Sequence, residues 1–246
     1  MRRLTDTLAS IWTWSALVAA VIVTFPIILL WRLIGWPIDP WNYAGGLLFR
    51  RIAWAVHAIT PRWKFETRGS FPTNPRNPYV VVANHESFAD ILLISQLPWE
   101  MKWLSKVGIM MIPVLGWTMW AVRDVPVHRG KASSARDAMR ACRRRLESNV
   151  SVMIFPEGTR SRSEEMLPFK DGAFRLAIEA GVPILPLAIH GTRQAIAKHD
   201  WRIGPARAIV EVLEPESTEG LTLADVPALK ARVRERIARA RDALKG

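Results

Sequence analysis

The sequence predicts an α/β layered fold, a central mixed sheet flanked by helices, with an N-terminal hydrophobic helical membrane anchor in front of it. Three observations carry this prediction. Apolar, β-rich runs alternate with runs of helical period through most of the chain, the pattern of a sheet covered by helices. Residues 7–31 contain no Asp, Glu, Lys or Arg, and roughly twenty apolar residues suffice to cross the hydrocarbon of a bilayer as a helix. The length, 246 residues, falls within the range of a single large core.

The anchor comes first. Trp12 and Trp14 lie near one end of the apolar stretch and Trp31, Trp36 and Trp41 near the other, as amphipathic rings do at the two interfaces of a membrane. Arg2, Arg3 and Arg32 bracket it. Pro26 leaves open a break into a re-entrant or interfacial hairpin, and residues 41–60 are apolar but carry Arg50 and Arg51, so spanning and lying flat both fit. Residues 33–37 offer no small-residue cleavage site, so the segment reads as a retained anchor over 1–60. Residues 61–78, rich in Pro, Asn, Ser and Gly, read as the connector into a domain over 61–246.

Strands are expected at 79–83, 100–105, 121–127, 150–155, 182–189 and 207–213. A helix-like apolar stretch follows the first at 91–97. Ala135, Met139, Cys142 and Leu146 recur at helical spacing, with Ser134 and Asp137 as a capping box. A final amphipathic helix places Leu229, Val233, Ile237, Ala240 and Leu244 on one face.

The net charge is +12, half the residues are hydrophobic and twelve are Trp. Nucleic acid would account for the charge, but the aromatic residues concentrate near the apolar N-terminus instead of interleaving with a basic patch. Anionic membrane lipid accounts for both features. The single cysteine, Cys142, excludes an intramolecular disulfide and fits a reducing compartment.

Two strings carry chemistry. At the first strand's end stand Asn84, His85 and, five residues after His85, Asp90. An Asp in the first turns of the following helix can hold one imidazole nitrogen protonated and leave the other free to accept a proton. Taken alone, the spacing also fits a surface His beside an Asp that stabilises a helix dipole. Ala89 occupies the place of the second His in a zinc-protease H-E-x-x-H pattern, so no metal site follows. The second string, Phe155-Pro-Glu157-Gly158-Thr159-Arg160-Ser161-Arg162, again ends an apolar strand. Gly158 allows close backbone approach, Arg160 offers a forked guanidinium for phosphate, and Glu157 can accept from hydroxyls or orient that Arg; a charged turn with a surface pair is the structural alternative. Lys106 and Arg129 stand at the ends of the second and third strands, as phosphate-binding cations or as solvated charges. His57, His190 and His199 have no partner pattern.

Together these strings resemble the glycerolipid acyltransferase family typified by lysophosphatidate acyltransferase. Asn84-His85 with Asp90 resembles its N-H-x-x-x-x-D motif, residues 155–161 its third motif, and Arg129 the Arg closing its second, although His128 stands where many relatives carry an acidic residue. Residues 167–174, 182–186 and 190–192 resemble its continuation and fourth motif, in order. The resemblance implies transfer of a fatty acyl chain from acyl-CoA or acyl carrier protein (acyl-ACP) to the sn-2 hydroxyl of 1-acyl-sn-glycerol-3-phosphate, giving phosphatidic acid. It implies His85 and Asp90 as the catalytic pair, and Glu157, Gly158, Thr159, Arg160, Arg129 and Lys106 at the substrate. The expected partners are lysophosphatidic acid, the thioester donor and membrane lipid, with no nucleic acid and no cofactor beyond the co-substrate. The expected place is the bacterial inner membrane, with the catalytic domain on the cytoplasmic side where thioesters are made. Rival readings are an acyltransferase for another lyso-lipid, such as lyso-ornithine lipid, and a non-catalytic membrane-binding protein.

Overall fold

The computed structural model describes residues 2–161, 163–197 and 200–245, with the backbone alone for Arg2 and Arg3. Arg162 and His199 lie outside the described residues. Helices α1 (Arg2–Ile34) and α2 (Tyr43–Ala58) precede strand β1 (Trp63–Gly69). Then follow β2 (Val80–Ala83), α3 (Ala89–Ile94), β3 (Met101–Lys106), α4 (Val107–Met110), α5 (Leu115–Ala121) and β4 (Val125–Val127). The chain continues through α6 (Ala132–Leu146), β5 (Ser151–Ile154), α7 (Gly172–Ala180), β6 (Ile184–His190), β7 (Ala206–Val212) and α8 (Val226–Ala243).

The strands form one sheet in the order β1-β7-β6-β2-β5-β3-β4. Neighbours are parallel except β6 and β7, which are antiparallel, so the sheet is mixed, as expected. β2 and β5 are buried on both faces, which is why they read as continuous apolar runs. On one face Val80, Val82, Val152 and Ile154 pack under α6, α7 and α8. On the other, Val81, Ala83, Met153 and Leu185 pack under α3, and Ala53 of α2 joins Leu92 of α3 beyond it.

Several expectations are corrected. Residues 61–78, read as a connector, contain the edge strand β1; only Trp63 is fully buried in it and charged residues alternate along it, so it lacks the apolar run that marks a central strand. The third expected strand shrinks to Val125–Val127, because Ala121 ends α5 and Arg123 turns with φ +67°. The Ser134–Asp137 capping box does not form: α6 starts after Lys131, Ser134 instead accepts from the His128 backbone N–H at 2.9 Å, and Asp137 pairs with Arg140.

Helix α1 runs through Pro26 without a break and is docked along its length. Asp6 pairs with Arg62 at 2.5 Å, Ser10 accepts from the Ile203 N–H, and the Trp14 indole donates to the Trp201 carbonyl. Further along, Val21 and Ile28 are buried, and Arg32 donates to the Trp120 and Ala121 carbonyls. Its outer face leaves Leu8, Val23, Ile27 and Leu30 exposed, and Trp117 and Trp120 of α5 are exposed beside it. This apolar surface is of the kind that marks an interaction site.

A buried ionic cluster ties α2 to the sheet. Arg50 pairs with Asp124 at 2.7 Å and with Glu100 at 3.5 Å, and Lys102 pairs with Glu100 at 2.9 Å. The set is electrically balanced, and Asp124 also accepts from the Trp103 N–H. Removing one partner strands buried charge, so Arg50→Met is expected to lower unfolding free energy by about 3–5 kcal/mol. By contrast, Arg239→Ala, which breaks a pair whose side chains are 78% and 61% exposed, is expected to cost less than about 1 kcal/mol. Urea unfolding in detergent micelles measures both, and equal losses would refute the contrast.

Candidate active site

The expected site residues assemble at the carboxyl ends of four adjacent parallel strands, where ligands approach α/β sheets. In spatial order β2, β5, β3, β4, they carry His85 with Asp90, residues 157–160, Lys106 and Arg129. Pairing of Lys106 with Val127 sets Lys106 level with the strand end that leads to Arg129.

Asn84 holds the end of β2 by clasping β6: its amide donates to the Ile189 carbonyl at 2.9 Å and its side-chain oxygen accepts from the Ile189 N–H at 2.8 Å. The clasp aims His85. His85 Nδ1 lies 2.7 Å from Asp90 Oδ2, and the Glu86 and Ser87 backbone N–H groups donate to that same oxygen at 2.7 and 3.0 Å. Thr192, in the turn after β6, donates its hydroxyl to Asp90 Oδ1. Asp90 is fully buried and His85 is 8% exposed. The imidazole stacks on Phe155, with centroids 3.9 Å apart. With Nδ1 held by a carboxylate, Nε2 is the nitrogen that can accept a proton.

Glu157 serves the loop. One carboxylate oxygen accepts from the His85 N–H at 2.8 Å and the other from the Leu167 N–H at 2.9 Å. Burial raises its pKa, while these bonds fasten the 155–167 loop beside the dyad. Gly158 adopts φ +72°, a backbone conformation that favours glycine, and its Cα faces the end of the Lys170 side chain. Thr159 is exposed and Arg160 half-buried. Arg129 has its pKa lowered by partial burial and then by the like charge of Arg160, which puts the two guanidinium groups in one electrostatic neighbourhood. Lys106 is exposed, and its side chain passes over Gly108.

Sequence reasoning missed the arginines that grip the backbone after Arg160. Arg193 donates to the Ser161 and Ser163 carbonyls, Arg241 to that of Glu164 at 2.7 Å, and Arg234 to that of Met166 at 3.0 Å. The Ser161 N–H donates to the His85 carbonyl at 3.0 Å. Arg234 and Arg241 belong to α8, so the final helix supports this loop. Their partners lie 68 and 77 residues away in sequence, beyond any local signal. Lys170 and Thr192 stood in matched strings without an assigned role.

Beside the dyad, Phe88 and Ile91 line a narrow apolar cavity that continues between Leu17, Val21, Phe49 and Met119 and meets Arg50 and Asp124. His85 itself does not line it; Phe88 and Ile91 make the connection.

Glu86 has its carboxyl pushed up to about 7, chiefly by burial and then by the charge of Asp90, against the opposing pull of Arg193 and Arg241. A raised carboxyl pKa disfavours the charged form in the folded state. Its contribution to stability is therefore intact below the ordinary value of 4.5 and is lost as pH rises through about 7. Glu86→Gln, neutral throughout, is expected to match wild type in denaturant midpoint at about pH 4 and to exceed it at about pH 8. A gap that stays constant between those conditions would refute the assignment.

A protein-family model described as Acyltransferase matches residues 64–190, from β1 to the end of β6. The chain is 38% identical to mouse 1-acyl-sn-glycerol-3-phosphate acyltransferase alpha over 174 residues, 70% of this chain and 61% of that one. It is 40% identical to the chloroplastic 1-acyl-sn-glycerol-3-phosphate acyltransferase BAT2 of Brassica napus over 141 residues, 56% of this chain and 41% of the relative. Against the Haemophilus influenzae 1-acyl-sn-glycerol-3-phosphate acyltransferase the identity is 34%, covering 62% and 63% of the two chains. The chain thus spans about two-fifths to just under two-thirds of the length of these relatives. The crystal structure of PlsC, the 1-acyl-sn-glycerophosphate acyltransferase of Thermotoga maritima, superposes with a TM-score of 0.82 over 100% of this chain and 98% of that one, at 24% identity, a likeness of fold. With the model covering more than half its length and both motif strings inside the match, the chain belongs to the acyltransferase family.

Proposed function

We propose that the protein transfers a fatty acyl chain from acyl-CoA or acyl carrier protein to the sn-2 hydroxyl of 1-acyl-sn-glycerol-3-phosphate, giving phosphatidic acid for phospholipid synthesis. The observation that carries the reading is the buried His85–Asp90 pair, its Nδ1 fixed at 2.7 Å, at the same edge of the sheet as the strand ends that lead to Arg129 and Arg160. The names of the mouse and H. influenzae relatives support the acceptor.

In this mechanism His85 Nε2 removes the proton of the acceptor hydroxyl as its oxygen attacks the thioester carbonyl carbon. Asp90 steadies the imidazolium. The tetrahedral intermediate collapses, the carbon–sulfur bond breaks, and the departing sulfur takes the proton back from His85, leaving an ester and a free thiol. No acyl-enzyme is required, and Cys142 is a poor candidate for one: it is buried in α6 with its thiol pushed up to about 12 by burial. Arg129 and Arg160 meet the acceptor phosphate, and the apolar cavity beyond Phe88 takes acyl chain.

Incubation of detergent-solubilised protein with 1-acyl-glycerol-3-phosphate and each donor, with products followed by mass spectrometry, tests the reading. His85→Ala and Asp90→Asn are expected to lower kcat by about 10²–10⁴, and Arg160→Ala to raise the acceptor KM by about tenfold or more. Turnover of a phosphate-free lyso-lipid in preference to lysophosphatidate would move the substrate, and full activity of His85→Ala would remove the mechanism.

The same reading places the protein on the cytoplasmic face of a bacterial inner membrane, with α1 lying in the interface. A helix fastened from Asp6 to Arg32 against one domain has both ends on the side where that domain sits. Cysteines introduced at Thr5 and Pro40, exposed positions at the two ends of this segment, are therefore expected to react with an impermeant maleimide from the same side of sealed vesicles. The buried Cys142 gives little background. Labelling from opposite sides would establish a span.

A further inference from the structure

A groove between α6 and α7 lies on the face of the sheet away from α1 and α2. Its rim carries Arg136, Arg140 and Arg143 from α6 and Arg175 from α7, against the single carboxylate of Glu179. The α6 arginines stand at i, i+4 and i+7, one helix face running for about 10 Å. All four are exposed. Their ion pairs are local and largely solvated: Arg140–Asp137 at 3.5 Å, Arg175–Glu179 at 3.8 Å and Arg143–Glu147 at 2.9 Å, with every side chain at least 41% exposed. Arg136 makes none among the described residues. The floor is apolar, formed by Ala135, Met139 and Leu176.

We propose that this groove docks an acidic, amphipathic helix of an acyl carrier protein that brings the thioester to the site. The inference rests on the acyl-transfer reading above and specifies its donor. An apolar floor under a cationic rim fits a helix laid in a groove, with apolar side chains inward and carboxylates toward the guanidinium groups. Anionic lipid is disfavoured by position, because the apolar belt of α1 and α5 lies on the other side of the sheet. The phosphates of a small nucleotide call for convergent donors, whereas these arginines form an extended row. Both helices begin at the catalytic edge: α6 follows Arg129, and α7 follows Lys170, which lies against Gly158. A carrier seated there stands next to the dyad's edge of the sheet.

The test compares palmitoyl carrier protein and palmitoyl-CoA as donors to one acceptor, using wild type and Arg140→Glu/Arg175→Glu. Calorimetric titration with the unacylated carrier protein accompanies it, at low and high salt. The expected result is a fall of about tenfold or more in kcat/KM for the carrier-bound donor, unchanged turnover of the CoA donor, and carrier binding that weakens with salt and with the double substitution. Equal losses with both donors, an unaffected carrier reaction, or no binding of carrier protein by wild type would each overturn the proposal. Because titration needs no turnover, an enzyme that binds the carrier but acylates no lysophosphatidate would fault the assigned reaction and leave the docking site standing.

Discussion

Asp90 is a fully buried carboxylate, and such a group is tolerated in an interior only where donors replace the water it has lost. Here they come from three places: the His85 ring, the backbone of residues 86 and 87, and the hydroxyl of Thr192 after β6. Meeting the needs of one side chain therefore fixes the end of β2, the first turn of α3 and the turn beyond β6 relative to one another. Asn84 repeats the tie with its reciprocal bonds to Ile189, and Glu157 extends it to β5 by holding the His85 and Leu167 backbones. The imidazole is thus held by a frame that reaches across three strands, so its orientation does not depend on a flexible loop. That is the preorganisation a general base requires.

The frame works because the sheet separates two environments. Helices α6, α7 and α8 cover one face with a soluble type of surface, charged outside and apolar within. On the other, α3 is backed by α2 and α1, and the outermost layer is apolar. The edge that carries the His85–Asp90 dyad lies between these two faces, so in the acyl-transfer reading a lipid acceptor and a water-borne donor can reach the dyad from different sides. The arginines of α8 that hold the Glu164 and Met166 carbonyls give the final helix a part in the site, although it lies outside the matched family region.

Much of this was legible in the sequence, for identifiable reasons. Buried parallel strands such as β2 and β5 announce themselves as apolar runs ending in polar strings, and the chemistry sits at those ends. The edge strand β1 was hidden because its period-two face carries only two large apolar residues, Trp63 and Phe65, each flanked by charged neighbours. The start of α6 was misplaced because Ser134 resembles a cap, whereas its oxygen is used by His128. Glu157 was legible as a functional residue, but its partners are backbone N–H groups, that of Leu167 in its own loop and that of His85, 72 residues away, which it meets only once β2 and β5 pair. The same holds for Arg193, Arg234 and Arg241, whose targets are main-chain carbonyls and leave no trace in residue type.

The buried cluster of Arg50, Glu100, Lys102 and Asp124 bears on how the anchor and the site are related. Buried ion pairs contribute little net stability compared with apolar packing, yet they penalise any arrangement that leaves one partner alone. Sliding α2 along the sheet by one helical turn, about 5.4 Å, would strand Arg50 away from both carboxylates. α2 therefore has one permitted register against β3 and the turn before β4, and α1, packed on α2 and α5, inherits it. If α1 lies in the membrane interface, the height of His85 above the acyl region is then set by rigid docking, with no linker to vary it. The apolar cavity runs between these same helices and meets Arg50 and Asp124. One set of charges thereby fixes the register of α2 and α1 and forms the polar limit of the apolar cavity.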